Sequence, residues 1–198
     1  MAGSVTNLIQ GAGVLYVGAF GETEPADSAI GEAPASADWT DVGFTEGGVE
    51  FSIAQEYAEL EVDQIVDIPG TRLTKREFTI STNLAEATLE NLNFALNNDG
   101  VTNVEAGEST PGTEAFEPDA YAPNQGEPLY RALIFDGIAP NGRPRRIIVR
   151  RALQTGDVAF SYSKEDQTVF SVEFGAHYVS NAIKPYKIVD MVAEPTGE

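Results

Sequence analysis

Apolar and polar residues alternate along much of this chain with a period of two, the spacing of strands that bury one face of a sheet. Residues 14–20 (VLYVGAF) form an apolar, β-prone run that predicts a first strand. A short element at 39–44 (WTDVGF) leads to Gly47-Gly48. Beyond it Val49, Phe51 and Ile53 point one way and Glu50 and Ser52 the other. Glu59, Glu61 and Asp63 alternate with Leu60, Val62 and Gln64 in a further extended piece. Residues 65–76, with Pro69-Gly70, then read as a turn or long excursion. Alternation resumes at Phe78, Ile80 and Thr82. In the second half, residues 129–135 and 145–153 flank Ala139-Pro140-Asn141-Gly142, and Asn-Gly is a strong hairpin signal. Val158, Phe160 and Tyr162 predict another strand. Phe170, Val172, Phe174, Ala176 and Tyr178 predict the longest, with Ser171, Glu173 and His177 on its opposite face.

The period changes once. Asn83 can cap a helix, and Glu86 three residues on completes a capping-box-like arrangement. Ala85, Leu89, Leu92 and Leu96 then fall on one apolar stripe, so a flanking helix is expected at about 84–97, stopped by Asn97-Asn98-Asp99-Gly100. Residues 1–13 are small, Gly-rich and uncharged, an expected N-terminal arm. The acidic stretches 21–36 and 101–128, rich in Pro, Ala and Gly, read as surface loops or insertions. Residues 184–198, a Pro-anchored apolar piece with a polar tail, read as a C-terminal arm. The whole is mainly β (α+β). One domain over 1–198 is expected, an antiparallel sandwich or barrel of seven or eight strands with one helix.

Charge sharpens this picture. Lys and Arg number 12 against 31 Asp and Glu, a formal net charge of −19. No base precedes Arg72 and none lies between Glu105 and Glu127, whereas Arg143, Arg145, Arg146, Arg150 and Arg151 crowd into nine residues. So negative a chain repels phosphate and is not expected to grip nucleic acid. There is no cysteine, which excludes disulfides, thiolate metal sites and cysteine nucleophiles. No run approaches the length of a bilayer span, and no basic-then-apolar leader opens the chain, so a soluble protein without a membrane partner is expected.

Candidate chemistry is sparse. The one histidine, His177, lies on a polar strand face with no nucleophile or further ligand beside it. Gly11-Ala12-Gly13 precedes a strand instead of following one, and Tyr16 holds the third glycine position of a dinucleotide loop. Glu59, Glu61 and Asp63, with Glu56 and Asp67 nearby, could face a calcium ion, yet no EF-hand-like loop occurs. Nothing singles out a carboxylate pair for glycoside hydrolysis. The expectation is therefore no enzyme, no catalytic residue, no metal site and no cofactor. A calcium-dependent β-sandwich adhesin or carbohydrate-binding module stands as the alternative to a building block.

The order of features adds a resemblance. Trp39-Thr40-Asp41-Val42-Gly43-Phe44-Thr45-Glu46-Gly47-Gly48-Val49 resembles the segment that leads into a strand in major tail (tail tube) proteins of long-tailed, siphovirus-type bacteriophages. Val62-Asp63-Gln64 and a basic excursion at 72–76 follow. A strand then runs into Leu84-Ala85-Glu86-Ala87-Thr88-Leu89-Glu90-Asn91-Leu92, the most specific piece. The resemblance covers residues 39–97 and continues as strand order from 129 to 178. It implies a β-sandwich with one helix, joined into hexameric rings by sheet-to-sheet pairing and stacked into a tube for DNA delivery. The excursion at about 55–75 would reach the next ring. The implied partners are further copies of the chain, a tape measure protein, and tail-terminus and baseplate proteins. The implied location is the virion tail, assembled in the host cytoplasm, with DNA passing unbound. On this reading Arg72, Lys75, Arg76, Arg145, Arg146, Arg150 and Arg151 are candidate contacts to acidic surface on neighbouring subunits. Glu50 and Glu173, on outward strand faces, are candidate lumen acids.

Overall fold

In the computed structural model, residues 5–98, 102–104, 113–116 and 128–192 are described, the side chains of 102–104, 113 and 114 excepted. The alternating segments become strands β1 (Val14–Ala19), β2 (Trp39–Asp41), β3 (Thr45–Leu60) and β4 (Gly70–Leu84), before helix α1 (Leu89–Ala95). A small pair, β5 (Thr102–Val104) and β6 (Thr113–Ala115), is followed by β7 (Arg131–Ile138), β8 (Pro144–Gln154), β9 (Phe170–Ala176) and β10 (Tyr186–Asp190). The chain is thus mainly antiparallel β with one α-helix among the described residues. Most of the stretch expected as a loop at 101–128 lies outside them.

Eight strands make one antiparallel sheet in the order β2-β1-β7-β8-β9-β4-β3, with β10 also on β8. Strand β8 divides this sheet. Its far edge meets β10 along Arg145–Val149 and β9 along Ala152–Gln154, so the two branches part from one strand. Apolar side chains from both branches then meet in a single cluster: Leu15, Leu133, Ile147 and Val149 with Phe78, Ile80, Val172 and Phe174. Phe78 stacks on Tyr186 with ring centroids 4.2 Å apart, and Phe51 meets Phe135 edge-on at 5.0 Å. Burying these groups is the main stabilisation of the fold. A smaller cluster of Trp39, Ala132, Ile134 and Ile148 forms on the opposite face of β1, β7 and β8.

The β7–β8 hairpin forms as its Asn-Gly predicts, with Asn141 and Gly142 both at positive φ (64° and 71°). Four expectations are corrected. The helix does not begin at Asn83. β4 runs through Leu84, which is buried, and pairs Asn83 with Ser171, so the sheet claims the predicted cap. Thr88 caps instead, its hydroxyl accepting from Asn91 N at 3.1 Å. The helix buries Asn91, Asn93 and Ala95, packs Leu92 on the core and leaves Leu96 exposed; Asn91 Nδ2 donates to Val42 O (2.9 Å) and Glu86 O (2.8 Å).

Second, residues 70–76, expected in a turn or long excursion over 65–76, are strand, and the turn lies at 61–69. β3 and β4 pair from Thr45↔Leu84 out to Leu60↔Gly70, making a two-stranded arm. Ile53 is consequently half-exposed, since it lies where the arm leaves the body. Third, Val158, Phe160 and Tyr162 take no strand partner; Val158 packs on the core, Phe160 meets Phe170 edge-on at 5.1 Å and Tyr162 is exposed. Fourth, residues 186–190, expected in a C-terminal arm, are built into the sheet as β10.

Candidate assembly surfaces

Three surfaces carry the polar chemistry. The first is the outer face of β3, β4 and β9, which alternation turns away from Phe78, Ile80 and Val172. Register sets Glu50 opposite Ser81 and Ser81 opposite Glu173, so the two candidate lumen acids share one row. The rows beside it are Ser52–Thr79–Gly175 and Glu46–Asn83–Ser171. These nine positions hold three glutamates, hydroxyls, an amide and a glycine, and no base.

The second is the arm. Residues 52–60 and 71–77 are exposed on both faces, so it projects by roughly 30 Å at the usual strand rise. Lys75 pairs with Glu77 on the same strand at 2.7 Å, and that hydrogen bond raises its pKa. Arg72 and Arg76 stand exposed opposite Ala58 and Gln55. At the far edge, β3 has no ladder partner among the described residues, and β2 ends the sheet on the other side. A sixteen-residue strand without proline is an open template for pairing.

The third is the arginine cluster on β8, expected at intersubunit contacts, whose side chains meet partners within the chain. Arg145 faces its cross-strand neighbour Asp190, with Nε 2.6 Å from Oδ1 and Nη2 2.7 Å from Oδ2. This bond raises the pKa of Arg145 and lowers that of Asp190. Arg146 is 3% exposed, holds both oxygens of Asp136 at 2.6 Å, and donates to Glu32 O at 2.6 Å. The Asp136 hydrogen bond raises its pKa against the pull of burial. Arg150 grips Glu24 and donates to Lys184 O at 2.8 Å. Arg151 donates to Tyr178 O at 3.1 Å and stacks over Tyr130, 3.8 Å from the ring centre.

Acids in residues 21–36 supply several of these partners. Glu24 holds Arg150, Asp27 takes Lys187 Nζ at 2.6 Å, the Glu32 carbonyl takes Arg146, and Trp39 Nε1 donates to Thr23 O at 3.2 Å. Ile30 and Pro34 are buried beneath the same segment. Tyr16, near Asp41 and Asp136, has its pKa raised first by burial and then by these carboxylates. Sequence reading missed these acids, although one was countable: stepping outward from Asn141 sets Asp136 opposite Arg146.

Glu59, Glu61 and Asp63 sit at the exposed arm end, and among the described residues no group of three such ligands is placed to hold a metal. His177 meets Tyr130 edge-on at 5.4 Å. No helix of the described residues is long and apolar enough to cross a membrane.

An open-edged antiparallel sheet with a projecting two-stranded arm carries these surfaces. The chain belongs to a family of phage structural proteins: the family model described as "Phage tail tube protein" matches residues 3–190. It is thus a component of the virion tail, in a family whose members assemble into a tube with other tail proteins. A comparison with curated proteins found no match.

Proposed function

We propose that this protein closes into rings, six copies to a ring, which stack into the tail tube of a long-tailed phage and conduct its DNA into the host. The observation that carries this reading is the base-free patch of nine positions on β3, β4 and β9, with Glu50, Ser81 and Glu173 in one row. Turned to the lumen, it presents DNA with fixed like charge and small hydroxyls, so the duplex slides without sticking. Screening confines the effect to about 8–10 Å, so lumen-facing carboxylates decide it. The open edges of β3 and β2 supply the sheet-to-sheet pairing between neighbours, and ring closure removes both. The arm, with Arg72, Lys75 and Arg76, reaches the adjacent ring. A tape measure protein inside, and terminus and baseplate proteins at the ends, complete the partners, with assembly in the host cytoplasm.

Negative-stain microscopy of the purified protein tests this directly. Rings or tubes roughly 100 Å across are expected, from six subunits of this size around a pore. Monomers that melt at higher temperature on adding calcium, without assembling, would instead establish the calcium-dependent binding module.

A further inference from the structure

Residues 22–29 lie over the face of β7 and β8 that carries Ala132 and Ile148, and they take no part in the sheet. Among the described residues, each backbone hydrogen bond of this stretch reaches only three positions along the chain. Glu22 N donates to Ala19 O, Ala29 N to Ala26 O, and Glu32 N to Ala29 O. None of the eight residues is buried. A glycine at positive φ turns the chain at each end, Gly21 at 91° and Gly31 at 94°, a conformation strained for other residues. Beside Gly31 the chain is tied down: Ile30 and Pro34 are buried, and Arg146 donates to Glu32 O.

The stretch itself is fastened by three polar contacts. Glu24 holds Arg150, with Nη2 3.0 Å from Oε2. Lys187 Nζ donates to Asp27 Oδ1 at 2.6 Å, and Trp39 Nε1 donates to Thr23 O at 3.2 Å. The side chains of Glu24, Asp27 and Lys187 are about a third to a half exposed, so water and salt compete for both ion pairs. Beneath them lies space where close packing would otherwise hold the segment. A cavity of about 260 Å³ has Glu22 and Glu24 on one side and Trp39, Ala132 and Ile148 on the other.

A loop bounded by glycines, clipped by exposed charges and lying over a void opens more easily than the sheet below it unfolds. We propose that residues 22–29 are a flap, hinged at Gly21 and Gly31 and latched by Glu24–Arg150 and Asp27–Lys187, whose opening uncovers Trp39, Ala132 and Ile148. Opening also takes the carboxylates away from Arg150 and Lys187, which adds two unpaired bases beside the uncovered apolar floor. The flap is a property of the single subunit and is independent of ring or tube formation.

The chain has no cysteine, so one introduced thiol reports the opening. Ala132 is buried on the cavity floor, and Ala152 is buried in the main core. In dilute full-length protein, Glu24→Gln with Asp27→Asn is expected to speed alkylation of the Ala132→Cys thiol about fivefold or more, with little change at Ala152→Cys. In Ala132→Cys protein with its latches intact, alkylation is expected to quicken as sodium chloride rises from about 0.05 to 1 M. Equal rates with and without the latch acids, or an equal rise at both thiols, overturn the flap. Indifference to salt overturns it as well, even if the latch variants fail to fold.

Discussion

Arg146 shows how one side chain changes role once its surroundings are known. In the sequence it is one of five arginines on a strongly acidic chain, and charge alone suggests a contact to a neighbour. In the fold it is 3% exposed and holds Asp136, whose side chain is 20% exposed, together with a backbone carbonyl of the 21–36 segment. Removing one partner of a buried pair strands the other, so Arg146→Ala is expected to cost about 2–4 kcal/mol in urea unfolding. Replacing both, Arg146→Met with Asp136→Leu, is expected to recover most of that loss. A double variant no better than the single one would show that the link to Glu32 O carries the stability. Charge reversal at 145 and 146 is for the same reason a folding defect, whatever it does to assembly.

At the scale of elements, the sheet outcompetes local signals. Asn83 and Glu86 form a fair capping box, yet Asn83 gains a ladder on both sides, from Glu46 and Ser171, by staying extended. Glu86 then accepts from Phe44 N at 3.0 Å, and the helix starts at Thr88. Thr88→Ala is accordingly expected to destabilise the protein by about 1 kcal/mol, and Asn83→Ala to leave the helix in place, as read by chemical denaturation and circular dichroism. The 158–162 segment shows the reverse case. Its alternation is strand-like, but a strand needs an edge to pair with, and here the pattern serves to set Val158 and Phe160 against the core.

Across the whole molecule, the −19 charge resolves into separate surfaces. Acids in the 21–36 segment and at Asp136 and Asp190 neutralise bases of β8 and β10, while Glu46, Glu50 and Glu173 share one face and have no ion-pair partner among the described residues. If that face lines the lumen, Glu50→Lys with Glu173→Lys gives tubes that retain duplex DNA at low salt and release it as salt rises. Native and variant tubes that bind DNA equally would place the face elsewhere. The sequence by itself determined the strand-rich class, the β7–β8 hairpin and the polarity of the β3 and β9 faces. These depend on a period of two and on a turn whose two positive φ angles Asn-Gly adopts readily. Tertiary structure alone decided where the helix begins, that 70–76 pairs with 55–60 in an arm, and which partner Arg145, Arg146, Arg150 and Arg151 each meet. Those outcomes are settled by competition among partners distant in the chain. Glu24 and Arg150 stand 126 residues apart, and nothing local in either segment encodes their meeting.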